Sequence, residues 1–184
     1  MTTIGVAVAV PDPWAEQLQS YRTDLGDSTA QGIPTHITLV PPYAAGPDSI
    51  ATIEDHLAGA AAGHRTFKVH LRGTGTFRPT SPVVFVVVVE GISDCEVLAA
   101  AVRRGPLAID LQFPYHPHVT VAHQVSEERL DRAFAELSGF ECEFEVDHFS
   151  LYLHDDQEGW RRTRDFPLLP APMRTSLDGN TLRP

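Results

Sequence analysis

The sequence predicts an α+β protein built as two related lobes, and three observations carry that expectation. Short β-branched runs alternate with stretches of helical spacing along most of the chain. A strand motif of histidine, β-branched apolar residue, threonine and aliphatic residue occurs twice, at 36–39 and at 118–121, and 118 − 36 = 82 residues is close to half of the 184-residue chain. Each copy also ends a similar upstream β-α passage, and 184 residues suit one domain of two small lobes at roughly 100–200 residues per domain.

Residues 4–10 form a short apolar run ended by Pro11, which reads as a buried strand. Asp12 is placed to cap a helix with Pro13 at its first position; Trp14, Leu18, Tyr21 and Leu25 recur at helical spacing, and Gly26 stops the helix. Residues 35–40 make the second strand and run into Pro41 and Pro42, after which Asp48 is placed to cap a helix to about Ala61, closed by Gly63. From Phe67 to Phe77 the pattern alternates but is interrupted by Gly73 and Gly75, predicting a bent or bulged strand. Pro82 introduces an apolar run at 83–89, a strand covered on both faces, and Ser93 with Glu96 reads as a capping box for a helix to about Arg104. After the Gly105–Pro106 break come a strand at 116–122 and a helix from Ser126. Residues 141–153 alternate as one strand, and a turn at 155–159 leads to a last strand near 160–166. From Pro167 onward periodicity is lost, so residues 1–166 are expected to form the single bilobal domain and 167–184 a loose C-terminal tail.

Composition narrows the function. Hydrophobic residues are 42% and charged residues 21%, an ordinary globular balance. Lys plus Arg number 14 against 24 Asp plus Glu, a net charge of −10. Such a surface repels a long phosphate backbone, whose affinity comes from neutralising many phosphates, but it leaves room for a small nucleotide or one RNA terminus in a local pocket. The N-terminus lacks a basic leader and no run approaches the roughly 20 apolar residues that span a bilayer, so a soluble cytoplasmic monomer without membrane partners is expected. Cys95 and Cys142 are too few for a disulfide scaffold or a four-cysteine zinc site; Cys142 reads as core, and no histidine motif is attached to Cys95.

The repeated motif carries the chemistry. On a strand, alternate side chains share a face, so His36 and Thr38 project together, as do His118 and Thr120, with each pair roughly 6.6–7 Å apart along the strand. Ile37, Leu39, Val119 and Val121 are left to pack on the opposite face. Set side by side, the lobes gather two imidazoles, which can serve as general base and general acid, and two hydroxyls that can hold an anion's oxygens. That is a phosphoryl-transfer or hydrolysis site built without a metal.

These residues resemble the paired motifs of the 2H phosphoesterase superfamily, and within it the bacterial RNA 2′,3′-cyclic phosphodiesterases, also called the 2′-5′ RNA ligase family. The likeness covers about residues 3–166 and includes Phe77-Arg78-Pro79 leading into 83–89, the stretch from Phe113 through His116, His118 and Thr120, and Leu151-Tyr152-Leu153. The resemblance implies two pseudo-symmetric lobes whose antiparallel sheets face a central groove with helices outside. It implies hydrolysis of a 2′,3′-cyclic phosphate to a 2′-phosphate with no metal or cofactor. His36 would then protonate the leaving oxygen, His118 would activate water, and Thr38 and Thr120 would bind phosphate. A catalytically weak module binding a nucleotide or RNA end, or 2′-5′ RNA ligation on the same site, are the alternatives. Where RNA-processing members commonly carry arginine, three residues after the second threonine, this chain has His123. Arginine grips phosphate bidentately and is always charged, so the exchange favours a small cyclic phosphate over an RNA end.

Four further residues are candidates for substrate contact. His123 follows the second motif; Tyr43 and Tyr115 lie near the motif strands and could stack on a base or simply pack at the groove edge; Arg78 could reach the cleft or cap a strand in solvent. His116, His118 and His123 could be drawn as a metal site, but no carboxylate completes the set, and His116 fits better as a rim residue beside His118. Gly73-Thr74-Gly75-Thr76 lacks the lysine and following helix of a phosphate loop. Arg162 and Arg164 could face the groove or pair with Asp155, Asp156 and Glu158.

Overall fold

The computed structural model describes residues 2–155 and 159–171. The strands are β1 (Thr2–Ala9), β2 (His36–Ala45), β3 (Phe67–Thr76), β4 (Val83–Glu90), β5 (His118–His123), β6 (Glu141–Val146), β7 (His148–Asp155) and β8 (Gly159–Pro167). The helices are α1 (Trp14–Leu25), α2 (Ile50–Ala62), α3 (Ile92–Val102) and α4 (Glu127–Glu136), with short 3₁₀ turns at Ser28–Gln31, Pro47–Ser49 and Gly105–Leu107.

The strands form one sheet in the order β6-β3-β4-β5-β2-β1-β7-β8, antiparallel throughout. Its two halves, β6-β3-β4-β5 and β2-β1-β7-β8, are the expected lobes. They meet at a single register pair, Ile37 opposite Val119. Each of these is the middle residue of its motif, so the pseudo-twofold relation passes between them. Antiparallel pairing then brings His36 toward Thr120 and Thr38 toward His118. The lobes are not the two halves of the chain, however. β3 and β4, from the first half, share a lobe with β5 and β6, and β7 and β8, from the second, share one with β1 and β2. Helices are exchanged in the same way, with α3 packing on β2 and α1 on β5.

Local sequence explains most elements. Ile37, Leu39, Val119 and Val121 are fully buried, and each such side chain contributes about 1.5–3 kcal/mol of hydrophobic stabilisation, which pins the motif strands with their histidines and threonines on the other face. In β4, Val84, Val86 and Val88 are buried on one face and Val83 and Phe85 on the other, so the run is covered on both faces. Gly26 adopts φ 80° and ends α1 by donating back to Arg22 and Thr23 carbonyls, a left-handed conformation that suits glycine. β3 is bulged between Leu71 and Thr74, where Gly73 stands. Ser126 stands at the N-cap of α4.

Several expectations are corrected. Pro13 stands at the N-cap of α1 rather than inside it, and the Asp12–Pro13 bond is cis. A 3₁₀ turn at Pro47–Ser49 precedes α2, so Asp48 does not cap it. Gly91, not a Ser93–Glu96 box, begins α3. The fifth strand starts at His118 rather than 116. The alternating run at 141–153 is two strands: β6 pairs with β3, and after Asp147 the chain crosses to the other lobe, where β7 pairs with β1. No glycine or proline marks that break. In the segment expected to be a loose tail, Pro167 ends β8, Leu168 is buried, and Leu169 exchanges backbone hydrogen bonds with His64 and Thr66; residues 172–184 lie outside the described set.

Candidate active site

β2 and β5 carry the motifs to the centre of the sheet, where His36, Thr38, His118 and Thr120 are all half-buried. Two cavities adjoin there and share Thr38 and His123. One, of about 250 Å³, is lined by His36, Thr120, Arg22, Thr29 and Trp160. The other, of about 600 Å³, is lined by His118, His116, Phe77, Phe113 and Tyr115.

The two histidines are oriented in the same way. His36 Nδ1 lies 2.9 Å from the carbonyl oxygen of Pro34, and His118 Nδ1 lies 2.7 Å from that of His116. A carbonyl only accepts, so each Nδ1 carries the proton and each neutral ring keeps its lone pair on Nε2. Both carbonyls belong to the residue two positions before the histidine, so the second lobe repeats the first even in this bond.

What surrounds the rings differs. His118 is met edge-on by Phe77, with centroids 4.9 Å apart at 90°, and lies 5.2 Å from Phe85; Phe77 and Phe85 are themselves 4.4 Å apart. Such contacts fix a ring without consuming its polar atoms. Gly75 makes this packing possible, because a Cβ there would lie 2.5 Å from the Phe85 ring. Across β2, the neighbours of His36 and Thr38 on β1 are Ala9 and Ala7, where the other lobe has Val87 and Phe85. The first lobe therefore sets alanines beside its histidine, and the second aromatic rings.

Burial disfavours the charged form of both rings. His36 is lowered from 6.5 to about 4, by burial first and then by the charges of Arg22 and His118. His118 is lowered by burial first and then by His116. Both rings are thus neutral at pH 7, each with an acceptor nitrogen. An anion bound between them would offset the burial cost and hold a proton on one of them. The pair can then supply one base and one acid on opposite sides of that anion.

The other predicted contacts fall unevenly. His123 lines both cavities, and its backbone N–H donates to Asp27 Oδ2 at 3.1 Å. Tyr115 lines the larger cavity, but its hydroxyl donates to the Thr38 carbonyl at 2.9 Å and its ring lies 4.5 Å beneath the Arg103 guanidinium, so it clamps β2. Burial also raises its hydroxyl's pKa above the usual tyrosine range. Tyr43 packs on the core and lines neither cavity. Arg78 is drawn away by Glu127 and Asp131 of α4, each 2.8 Å from Nη1. Arg162 pairs with Asp165, and Arg164 with Glu54; Asp156 and Glu158 lie outside the described residues. His116 is exposed and stacks beside His118 with centroids 6.3 Å apart. Cys95 is buried and pushed up to about 12 by that burial, which suits a core thiol.

Sequence reasoning passed over Arg22, Asp27 and Trp160. Arg22 had a legible signal, since it follows Leu18 by four positions and so stands on the buried stripe of α1, where a charge is out of place. Trp160 had none, because only pairing between β7 and β8 places it over the first lobe. Among the described residues, those whose ligand atoms could share an ion are His70, Glu90 and Glu143, within 4.8 Å of one another; none of them lines the groove, and Lys68 contacts both carboxylates.

Comparison with known proteins agrees with this fold. The profile of the 2′-5′ RNA ligase superfamily matches residues 10–158. A candidate phosphoesterase of Oceanobacillus iheyensis is 25% identical over 166 residues, 89% of this chain and 96% of that protein. Another, of Bacillus cytotoxicus, is 28% identical over 142 residues, 74% of this chain and 80% of that protein. Among solved structures, E. coli LigT complexed with 3′-AMP superposes with a TM-score of 0.68 at 21% identity, covering 91% of this chain and 98% of that one. A protein of Thermus thermophilus gives 0.65 at 22% identity, with the same coverage. LigT has also been solved complexed with ATP and with phosphate. At these identities the structures establish a shared fold.

Proposed function

This chain belongs to the 2′-5′ RNA ligase superfamily, and from that premise we propose that it hydrolyses a 2′,3′-cyclic phosphodiester, on a small nucleotide or an RNA end, to a 2′-phosphate without a metal ion. The observation that carries the reading is the mirrored pair of Nδ1 bonds to Pro34 and His116, which reserves both Nε2 atoms for the groove beside Thr38 and Thr120. The phosphoesterase relatives support the reaction class, and the nucleotides and phosphate held by LigT support a substrate of that size.

In this mechanism the cyclic phosphate lies between the lobes with its non-bridging oxygens accepting from the two threonine hydroxyls. His118 Nε2 takes a proton from water as the water oxygen bonds to phosphorus. The P–O3′ bond breaks, and protonated His36 delivers its Nε2 proton to O3′, leaving the phosphate on O2′. The two rings have then exchanged protonation states, and solvent restores them. The cavity on the His118 side has an aromatic and apolar lining suited to a base. The net charge of −10 favours a small substrate over long RNA.

The test is hydrolysis of the four nucleoside 2′,3′-cyclic monophosphates in excess EDTA, with 2′- and 3′-phosphate products resolved. Turnover to the 2′-phosphate that falls by about 10²–10⁴ in His36→Ala and in His118→Ala is expected. Full activity in either variant sinks the two-histidine mechanism.

A further inference from the structure

We propose that Arg22 is a phosphate-binding residue of this groove, donating from Nη1 to the anion that Thr38 and Thr120 hold, with Asp27 as the group that aims it. The inference rests on the phosphodiester reading of the groove.

Arg22 stands on the buried face of α1, only 4% exposed, yet it lines the same cavity as His36, Thr38 and Thr120. Its guanidinium is gripped on one edge. Nε and Nη2 donate to Asp27 Oδ2 at 3.0 and 2.9 Å, and Nη2 donates also to Thr29 Oγ1 at 2.9 Å. Nη1 has no acceptor among the described residues. Since no buried side-chain nitrogen or oxygen among them lacks a partner, Nη1 is open to the cavity rather than sealed in protein. A buried, rigid guanidinium thus offers two free N–H donors to the space where an anion would sit. Guanidinium donors to phosphate oxygens are among the stronger hydrogen bonds a protein makes.

Asp27 does not compete for that space. Its side chain is fully buried, and its two oxygens accept from five donors: the two arginine bonds, the Thr29 N–H and Oγ1, and the His123 N–H. With the carboxylate saturated on the protein side, the open end of the pair facing the groove is cationic. Arg22 is also close enough to His36 for its charge to act on that ring. His123, which lines the same cavity, carries no permanent charge, so Arg22 is the cation that stays charged there at every working pH.

Inorganic phosphate is the probe, with binding measured by calorimetry on wild type, Arg22→Lys and Arg22→Gln, and folding checked by thermal denaturation. Arg22→Lys keeps the charge beside Asp27 but loses the second arm of the fork. Phosphate should bind about ten- to a hundredfold more weakly in both variants, and KM for cyclic nucleotide should rise more than kcat falls. In the wild-type protein, phosphate should also shift the arginine guanidinium NMR signals that Arg22→Lys deletes, a readout that needs no variant to fold in full. Undiminished phosphate binding in folded Arg22→Lys, unmoved guanidinium signals, or no phosphate binding by wild type overturns the proposal. Cyclic-nucleotide turnover assayed in parallel separates the two readings. Turnover with Arg22-independent phosphate binding removes Arg22 alone, whereas Arg22-dependent binding with no turnover of cyclic nucleotides or of oligonucleotides with cyclic-phosphate ends upholds Arg22 and removes the phosphodiesterase.

Discussion

His36 and His118 share a hydrogen-bond pattern but not an environment, and the environment sets when each ring can hold a proton. Both are lowered from 6.5, His36 to about 4, chiefly because burial penalises the imidazolium. Catalysis needs one ring charged and one neutral. In the free protein the singly protonated state is most populated between the two lowered values; its proton rests mainly on His118, the less strongly lowered ring, and the proposed mechanism draws on the form with the proton on His36, so kcat/KM should be bell-shaped with its maximum below pH 6.5, declining toward neutrality as that proton is lost. Within the complex the bound anion stabilises the proton, so the profile of kcat should lie at higher pH than that of kcat/KM. Initial rates from roughly pH 4 to 8 check both, and a kcat/KM maximum above about 7 contradicts the burial argument. At this scale the shared face of each motif was legible, because a two-residue period on a strand is local. The roles of Tyr115 and Arg78 were not, because Thr38, Glu127 and Asp131 reach them from distant parts of the chain.

At the scale of elements, the second lobe's histidine depends on a three-strand arrangement. Gly75 on β3 leaves space for the Phe85 ring of β4, which packs on Phe77 and on His118 of β5. Gly75→Ala would set a methyl carbon 2.5 Å from that ring and force Phe85 toward His118. The expected outcome is a loss of about 1–3 kcal/mol in chemical denaturation, the usual cost of overpacking, together with a fall in kcat as His118 is displaced. Wild-type stability and kcat in that variant would show that the ring has somewhere else to go. The glycine was visible in sequence as an interruption of β3. Its reason was not, since the ring it accommodates belongs to the next strand.

For the whole molecule, Asp27 links what the single Ile37–Val119 register pair joins only narrowly. It lies between α1 and the first 3₁₀ turn, and it accepts from the backbone of His123 at the end of β5 in the other lobe. Removing it leaves the Arg22 guanidinium buried without its counter-charge. Asp27→Ala should therefore cost about 3–5 kcal/mol by urea denaturation, far above a surface substitution. A change within about 0.5 kcal/mol, the scale of surface changes, would mean that water replaces the carboxylate at the Nε and Nη2 edge of Arg22 and that the pair is not the inter-lobe tie described.

The sequence by itself determined the two motif strands, the face each presents, the bilobal α+β class and the family likeness, because strand alternation, glycine stops and a repeated motif are properties of short stretches of chain. Tertiary structure decided what depends on partners. It built each lobe from both halves of the chain, joining β3 and β4 to β5 and β6 in one and β7 and β8 to β1 and β2 in the other. It split the run at 141–153, where alternation continues while the neighbouring strand changes. It also brought Arg22 and Trp160 to the groove, with Asp27 buried behind Arg22. An alternating pattern states that a strand has one buried face, but not which strand lies beside it, and the site is assembled by those pairings.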